Sequence, residues 1–192
     1  SLLQIPRIPR EVSFEEIPFT HSNFESMIPR RREQHAAGRF CLRSVINKAE
    51  INCVDISRSY PLTIQTKKGI KPISISHCDS IAVAVLGLNC NSIGVDIESN
   101  ERIISTAILN QFCSTKEIEE LMNSSPVERL EIWMIKEAVS KAIGDGMSIA
   151  KEIEIVGDNA YYDTSIFRVI RHEYKGHNIV IVTDYSDSSM DI

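Results

Sequence analysis

The chain has no C-x-x-C pair, no apolar run long enough to span a bilayer, no Walker A phosphate loop and no excess of basic residues. Each absence removes a class of function. The five cysteines, Cys41, Cys53, Cys78, Cys90 and Cys113, are odd in number and scattered, so neither a disulfide framework nor a thiolate zinc site is signalled. That usage predicts a reducing, cytoplasmic compartment. The first ten residues, SLLQIPRIPR, contain no signal-peptide core, and the longest apolar stretch, Ile81 to Leu88, falls far short of the ~20 residues a transmembrane helix needs. A soluble protein without a membrane span is expected. The formal net charge of -5 argues against nucleic acid as a partner, because that affinity rests on neutralising many phosphates. The missing G-x-x-x-x-G-K-[ST] pattern disfavours an ATPase. Low complexity is confined to a polar tail, Ser186 to Asp191, expected to fray.

What is present is ordinary globular composition: 192 residues, 43% hydrophobic and 24% charged, enough for one sizeable core or two small ones. Pro29 to Ala49 reads as a helix, with proline in the first turn. Leu62 to Thr66, Pro72 to Ser76, Ile81 to Leu88 and Ser92 to Glu98 read as strands, the last two joined through Asn89-Cys90-Asn91 as a hairpin. Ser114 with Glu117 fits a capping box, and Val127 to Ile143 carries Ile132, Ile135, Val139 and Ala142 at helical spacing before Gly144 and Gly146 stop it. Strands return at Glu152 to Val156, Ile166 to Arg171 and Asn178 to Thr183, with Lys175-Gly176-His177 in a hairpin connection. Helix followed by strands, twice over, predicts an α+β fold of two similar halves, 1–100 and 101–192. The boundary lies softly at Ser99-Asn100-Glu101-Arg102.

Four constellations can carry chemistry. In Gly94-Val95-Asp96-Ile97-Glu98, strand alternation sends both carboxylates to one face, a hard-oxygen arrangement that suits Mg²⁺. The same pattern also fits a half-exposed edge strand with solvated acids. Glu137 and Lys141, four apart on a helix, share a face, as a catalytic acid and base or as a plain surface ion pair. The lone Trp133 beside them reads as a packing anchor. Ser76 and His77 end a strand beside Asp79, a poor spacing for a nucleophilic triad. They could serve a phosphate, or simply be satisfied by turn backbone. Finally, Arg30-Arg31-Arg32, His35, Arg39 and Arg43 make a basic helix face in an acidic protein, either solvated or gripping an anion.

Taken in order, R-R-R-E-Q-H-A-A-G-R, P-I-S-I-S-H, G-V-D-I-E, F-C-S-T-K-E and W-M-I-K-E-A-V-S-K-A-I-G-D-G resemble the 4'-phosphopantetheinyl transferases over about Arg30 to Gly146. The likeness is to the longer class typified by the surfactin and enterobactin synthase activators, in which two similar halves of one chain bind coenzyme A between them. The resemblance implies Asp96, Glu98 and Glu137 as Mg²⁺ ligands, Lys136 and Lys141 beside the phosphates, Arg39, Ser76 and His77 at the nucleotide end of coenzyme A, and Arg31, near a basic family position, as a further coenzyme A contact. It also implies Glu137 as general base, Lys141 facing the leaving group, and Glu117 as an acid considered for proton transfer, against its capping-box role. The lysines that some relatives carry upstream are missing from Asn23 to Ile28. The implied partners are coenzyme A and an apo acyl, peptidyl or aryl carrier protein of siderophore or other secondary-metabolite synthesis, and the implied state is a monomer. Two rivals use the same residues: a metal-dependent phosphodiesterase, and a non-catalytic coenzyme A or carrier-binding module.

Overall fold

In the computed structural model, which describes residues 27–57, 59–78 and 81–184, Pro29 opens the first helix, α1 (Pro29–Lys48), where a missing N–H is harmless. The polar tail from Ser186 and the acid at Asp79 lie outside the described residues. Helix α1 buries Cys41, Leu42, Val45 and Ile46 against a four-stranded antiparallel sheet in the order β1 (Cys53–Ile56), β2 (Thr63–Thr66), β3 (Gly69–Cys78), β4 (Ile81–Leu86). Strand β4 is buried on both faces, Ala82 and Ala84 under α1 and Val83 and Val85 toward the second sheet. That is why its sequence is a continuous apolar run instead of an alternation.

The second sheet holds β5 (Ile93–Ser99), β6 (Glu154–Val156), β7 (Asn159–Tyr162), β8 (Ser165–Tyr174) and β9 (His177–Asp184) in the order β5-β9-β8-β7-β6. One face is covered by three helices, α2 (Thr106–Phe112), α3 (Thr115–Leu121) and α4 (Pro126–Ile143), and by a 3₁₀ turn, Gly146–Glu152. The other face, with Val95, Ile97, Ile179 and Ile181, packs on Val83 and Val85 of the first sheet. Lys175 and Gly176, both at positive φ, connect β8 to β9 as expected for a two-residue hairpin.

The expected hairpin between Ile81–Leu88 and Ser92–Glu98 is corrected by the structure: β4 pairs with β3, and β5 pairs with β9, in different sheets. The connection is drawn away from a turn by distant partners. Asp184 accepts the amides of Asn91 and Ser92 at 3.0 and 2.9 Å, and the Ser92 hydroxyl donates to the Ala142 carbonyl at 2.7 Å. Strands β3 and β5 nonetheless run side by side. They share no backbone ladder; the Ser74 hydroxyl instead accepts the Val95 N–H at 3.1 Å.

Candidate active site

Two elements bring the expected acids together. Strand β5 supplies Asp96 and Glu98, and α4 crosses it so closely that a Cβ on Gly94 would stand 1.9 Å from the Ala138 carbonyl oxygen. Only glycine permits that approach, and it carries Glu137, one residue before Ala138, to the two strand acids. Carboxylate oxygens of Asp96, Glu98 and Glu137 all lie within 4.8 Å of one another. The solvated edge-strand alternative does not hold: Asp96 is 1% exposed and Glu98 7%.

Lys141, one turn after Glu137, reaches across the cluster. Its ammonium stands 2.9 Å from Asp96 Oδ1, 3.0 Å from Glu137 Oε1 and 2.9 Å from the Ser76 hydroxyl. The surface-pair alternative fails too, because this ion pair is shared with a buried aspartate. Burial works against the Lys141 charge, but Asp96 and Glu137 overcome it and the pKa rises. Glu137 is pushed upward by burial first and by Asp96 second, with Lys141 opposing both. Ser76, on β3, donates to Asp96 Oδ1 at 2.8 Å, so the first sheet contributes directly to the cluster. The second oxygen, Asp96 Oδ2, is buried without a hydrogen-bond partner.

One cleft is lined by the cluster, and a second shares Tyr60 with it. The first, of about 220 Å³, is lined by Glu137, Ser140, Lys141, Gly144 and Met147. Gly144 ends α4 at φ 101°, where its missing side chain lets Tyr60-Pro61 pack against the helix end. The other, of about 180 Å³, lies over α1 and β3 and is lined by Arg31, His35, Arg39 and His77. Of the expected basic face, Arg30, Arg32 and Arg43 do not line it. Arg39 is buried, and that burial lowers its pKa, while nearby Tyr60 raises it. The His77 pKa is lowered, by burial first, then by Lys141 and more weakly by Arg31. Among the described residues that line it, Arg31 and Arg39 give the cleft a cationic character.

Lys136 and Glu117 stand apart from this assembly. The expectation that Lys136 lies beside the phosphates gives way to a fully buried ammonium whose three protons have three acceptors: Ala150 O at 2.7 Å, Ile153 O at 2.8 Å and Glu117 Oε1 at 2.7 Å. Glu117 holds the reciprocal capping box of α3, its other oxygen accepting the Ser114 N–H at 2.8 Å. Its carboxylate is engaged on both sides, away from Asp96. The structure also shows two residues at the site that sequence patterning does not single out. Tyr60 lies in a Ser-Tyr-Pro loop whose only signal is its proline, and Arg102 pairs with Glu98 from the polar turn that follows β5.

Among the described residues no helix is long and apolar enough to cross a membrane. No curated protein matches the chain. Residues 92–181, which run from the strand bearing Asp96 and Glu98 through α4 to the strand that ladders with it, match the family model of the 4'-phosphopantetheinyl transferase superfamily.

Proposed function

We propose that this chain is a magnesium-dependent 4'-phosphopantetheinyl transferase of the two-half class, moving the phosphopantetheine arm of coenzyme A to a serine of an apo-carrier protein. The carrier would belong to a siderophore or other secondary-metabolite synthase. The observation that carries this reading is the cluster of Asp96, Glu98, Glu137 and Lys141, which lies wholly within the segment matched by the family model. The cluster fits a divalent cation: three hard oxygen donors converge, and the buried Asp96 Oδ2 has no hydrogen-bond donor. Asp96, Glu98 and Glu137 would hold Mg²⁺, which when bound neutralises diphosphate charge.

The chain's own residues then have separable tasks. The carrier serine oxygen attacks the β-phosphorus of coenzyme A, forming the new P–O bond as the bond to the bridging oxygen breaks. The bridging oxygen leaves with 3',5'-ADP. Glu137 takes the serine proton, and the Lys141 ammonium offsets the charge that grows on the departing phosphate. Ser76 keeps Asp96 in place through its 2.8 Å hydrogen bond, a positioning task on the first sheet. Arg31, Arg39 and His77 grip the 3'-phosphate end in the cationic cleft. Lys136 and Glu117 take no part in the chemistry on this reading, because each is saturated elsewhere. One chain carries both sheets around the cluster, which supports a monomer, and the free thiols of Cys41, Cys78, Cys90 and Cys113 fit a reducing cytoplasm.

The direct test is incubation with coenzyme A, Mg²⁺ and a panel of apo-carrier proteins. Mass spectrometry is expected to show a phosphopantetheine adduct on the carrier serine, and no adduct on any carrier type would sink the proposal. The cationic cleft makes a second forecast. Arg39→Ala and His77→Ala are expected to weaken coenzyme A binding markedly, and 3'-dephospho-coenzyme A binding much less, since charge-assisted hydrogen bonds to one phosphate matter only when it is present. Equal losses with both ligands, measured by calorimetry, would move these residues away from the 3'-phosphate.

A further inference from the structure

Arg102 belongs to none of the motifs above, yet it is the second cation of the acidic cluster. The turn after β5 closes by Arg102 N–H donating to Ser99 O at 3.0 Å, which folds the side chain back over Glu98 four residues earlier. There Nη1 pairs with Glu98 Oε1. The guanidinium is stacked on Trp133, 5.3 Å from the ring centroid, and the indole is held in turn by the edge of Phe112, centroids 4.8 Å apart at 70°. Its charge also acts on Glu137 and Asp96.

With all groups ionised, three carboxylates face two cations, Lys141 and Arg102, so the cluster is one charge short of neutral in a mostly buried place. The two cations are not equivalent. Lys141 bonds Asp96 and Glu137 and sits on α4 inside the cluster. Arg102 touches only the outer acid, Glu98, and comes from a surface turn with its side chain about a third exposed. A divalent ion held by Asp96, Glu98 and Glu137 would compete with that guanidinium for Glu98.

We propose that Arg102 is a displaceable counter-ion of the metal site: it holds Glu98 in the ion-free protein, parked on the Trp133 ring, and yields that carboxylate when a divalent cation binds. The inference rests on the metal part of the function proposed above but not on the transfer chemistry. Arg102 is a positioning residue here, acting through Glu98.

Trp133 is the single tryptophan of the chain, so its emission reports on the guanidinium without a label. Mg²⁺ is titrated into the wild-type protein, Arg102→Ala and Arg102→Lys with no coenzyme A present, and binding is followed by calorimetry and by tryptophan fluorescence. Removing a unit positive charge beside a dication is expected to tighten Mg²⁺ binding roughly tenfold in Arg102→Ala. Arg102→Lys, which keeps the charge, is expected to stay near wild type. The wild-type emission should shift on saturation, and the Arg102→Ala emission should not. Unchanged or weaker Mg²⁺ affinity in Arg102→Ala would overturn the proposal, as would wild-type binding with a motionless emission spectrum. Absence of Mg²⁺ binding in all three proteins would remove the metal site and this inference together. Tight binding without carrier modification would remove the transfer reaction and leave the counter-ion standing.

Discussion

Turnover of a Glu137→Gln protein is expected to fall by ~10² to 10⁴-fold at saturating Mg²⁺, the range for losing a positioned base. Steady-state carrier modification measures it, and a near wild-type rate would strip Glu137 of both the base and the metal assignments. Folding is expected to survive, for a reason that follows from the direction of the pKa. Burial and Asp96 raise the Glu137 carboxyl in the folded, metal-free protein, so above its unfolded pKa the ionised form is disfavoured by folding. Its charge therefore subtracts stability at neutral pH, a penalty absent below the unfolded pKa. Gln removes that penalty while keeping size and polarity. The thermal midpoint without metal is expected to stay level or rise, and the rise on adding Mg²⁺ to shrink.

Lys136→Met is expected to show the opposite pattern, a large loss of stability with the acidic cluster intact. The substitution preserves most of the side-chain volume but leaves the Glu117 carboxylate and two carbonyls without their shared donor. Breaking a buried ion pair on one side typically costs ~3 to 5 kcal/mol; Glu117 keeps some solvent, 24% of its side chain, so the lower end, about 3 kcal/mol, is expected. The shift in denaturant midpoint at constant slope measures it. Adding Glu117→Gln should recover part of the loss, because the stranded charge is then gone. A Lys136→Met protein with an unchanged midpoint and a raised coenzyme A requirement would return this lysine to the phosphates.

These two residues, adjacent to each other on α4, show where sequence patterning reaches its limit. A helix turns about 100° per residue, so one of Lys136 and Glu137 must look away from the site. Charge alone does not say which. The spacing of Glu137 and Lys141 established a shared face, and the alternation of Asp96 and Glu98 another, and the two faces do meet. Their meeting depends on Gly94, whose role shows only once α4 is seen lying on it. The capping box at Ser114 and Glu117 and the α4 stop at Gly144 were legible because both are local. Helix α2, capped by Ser105, and strands β1 and β7 are short elements that the patterning does not single out. The hairpin expected between β4 and β5 failed for a different reason. A polar Asn-Cys-Asn connection resembles a turn, while the true partner of β5 lies some eighty residues further on.

That long-range pairing fixes when the site can exist during synthesis. The strand bearing Asp96 and Glu98 ladders with β9, the last strand described, from Ile93 opposite Thr183 to Ser99 opposite His177. A nascent chain that has reached the end of α4 already contains all three acids and Lys141, yet β5 has nothing to zip against. Pairings of such sequence separation form late, after the entropy of closing the intervening loop has been met. The acidic cluster is therefore assembled only after β9 has emerged, a strand that contributes none of its ligands.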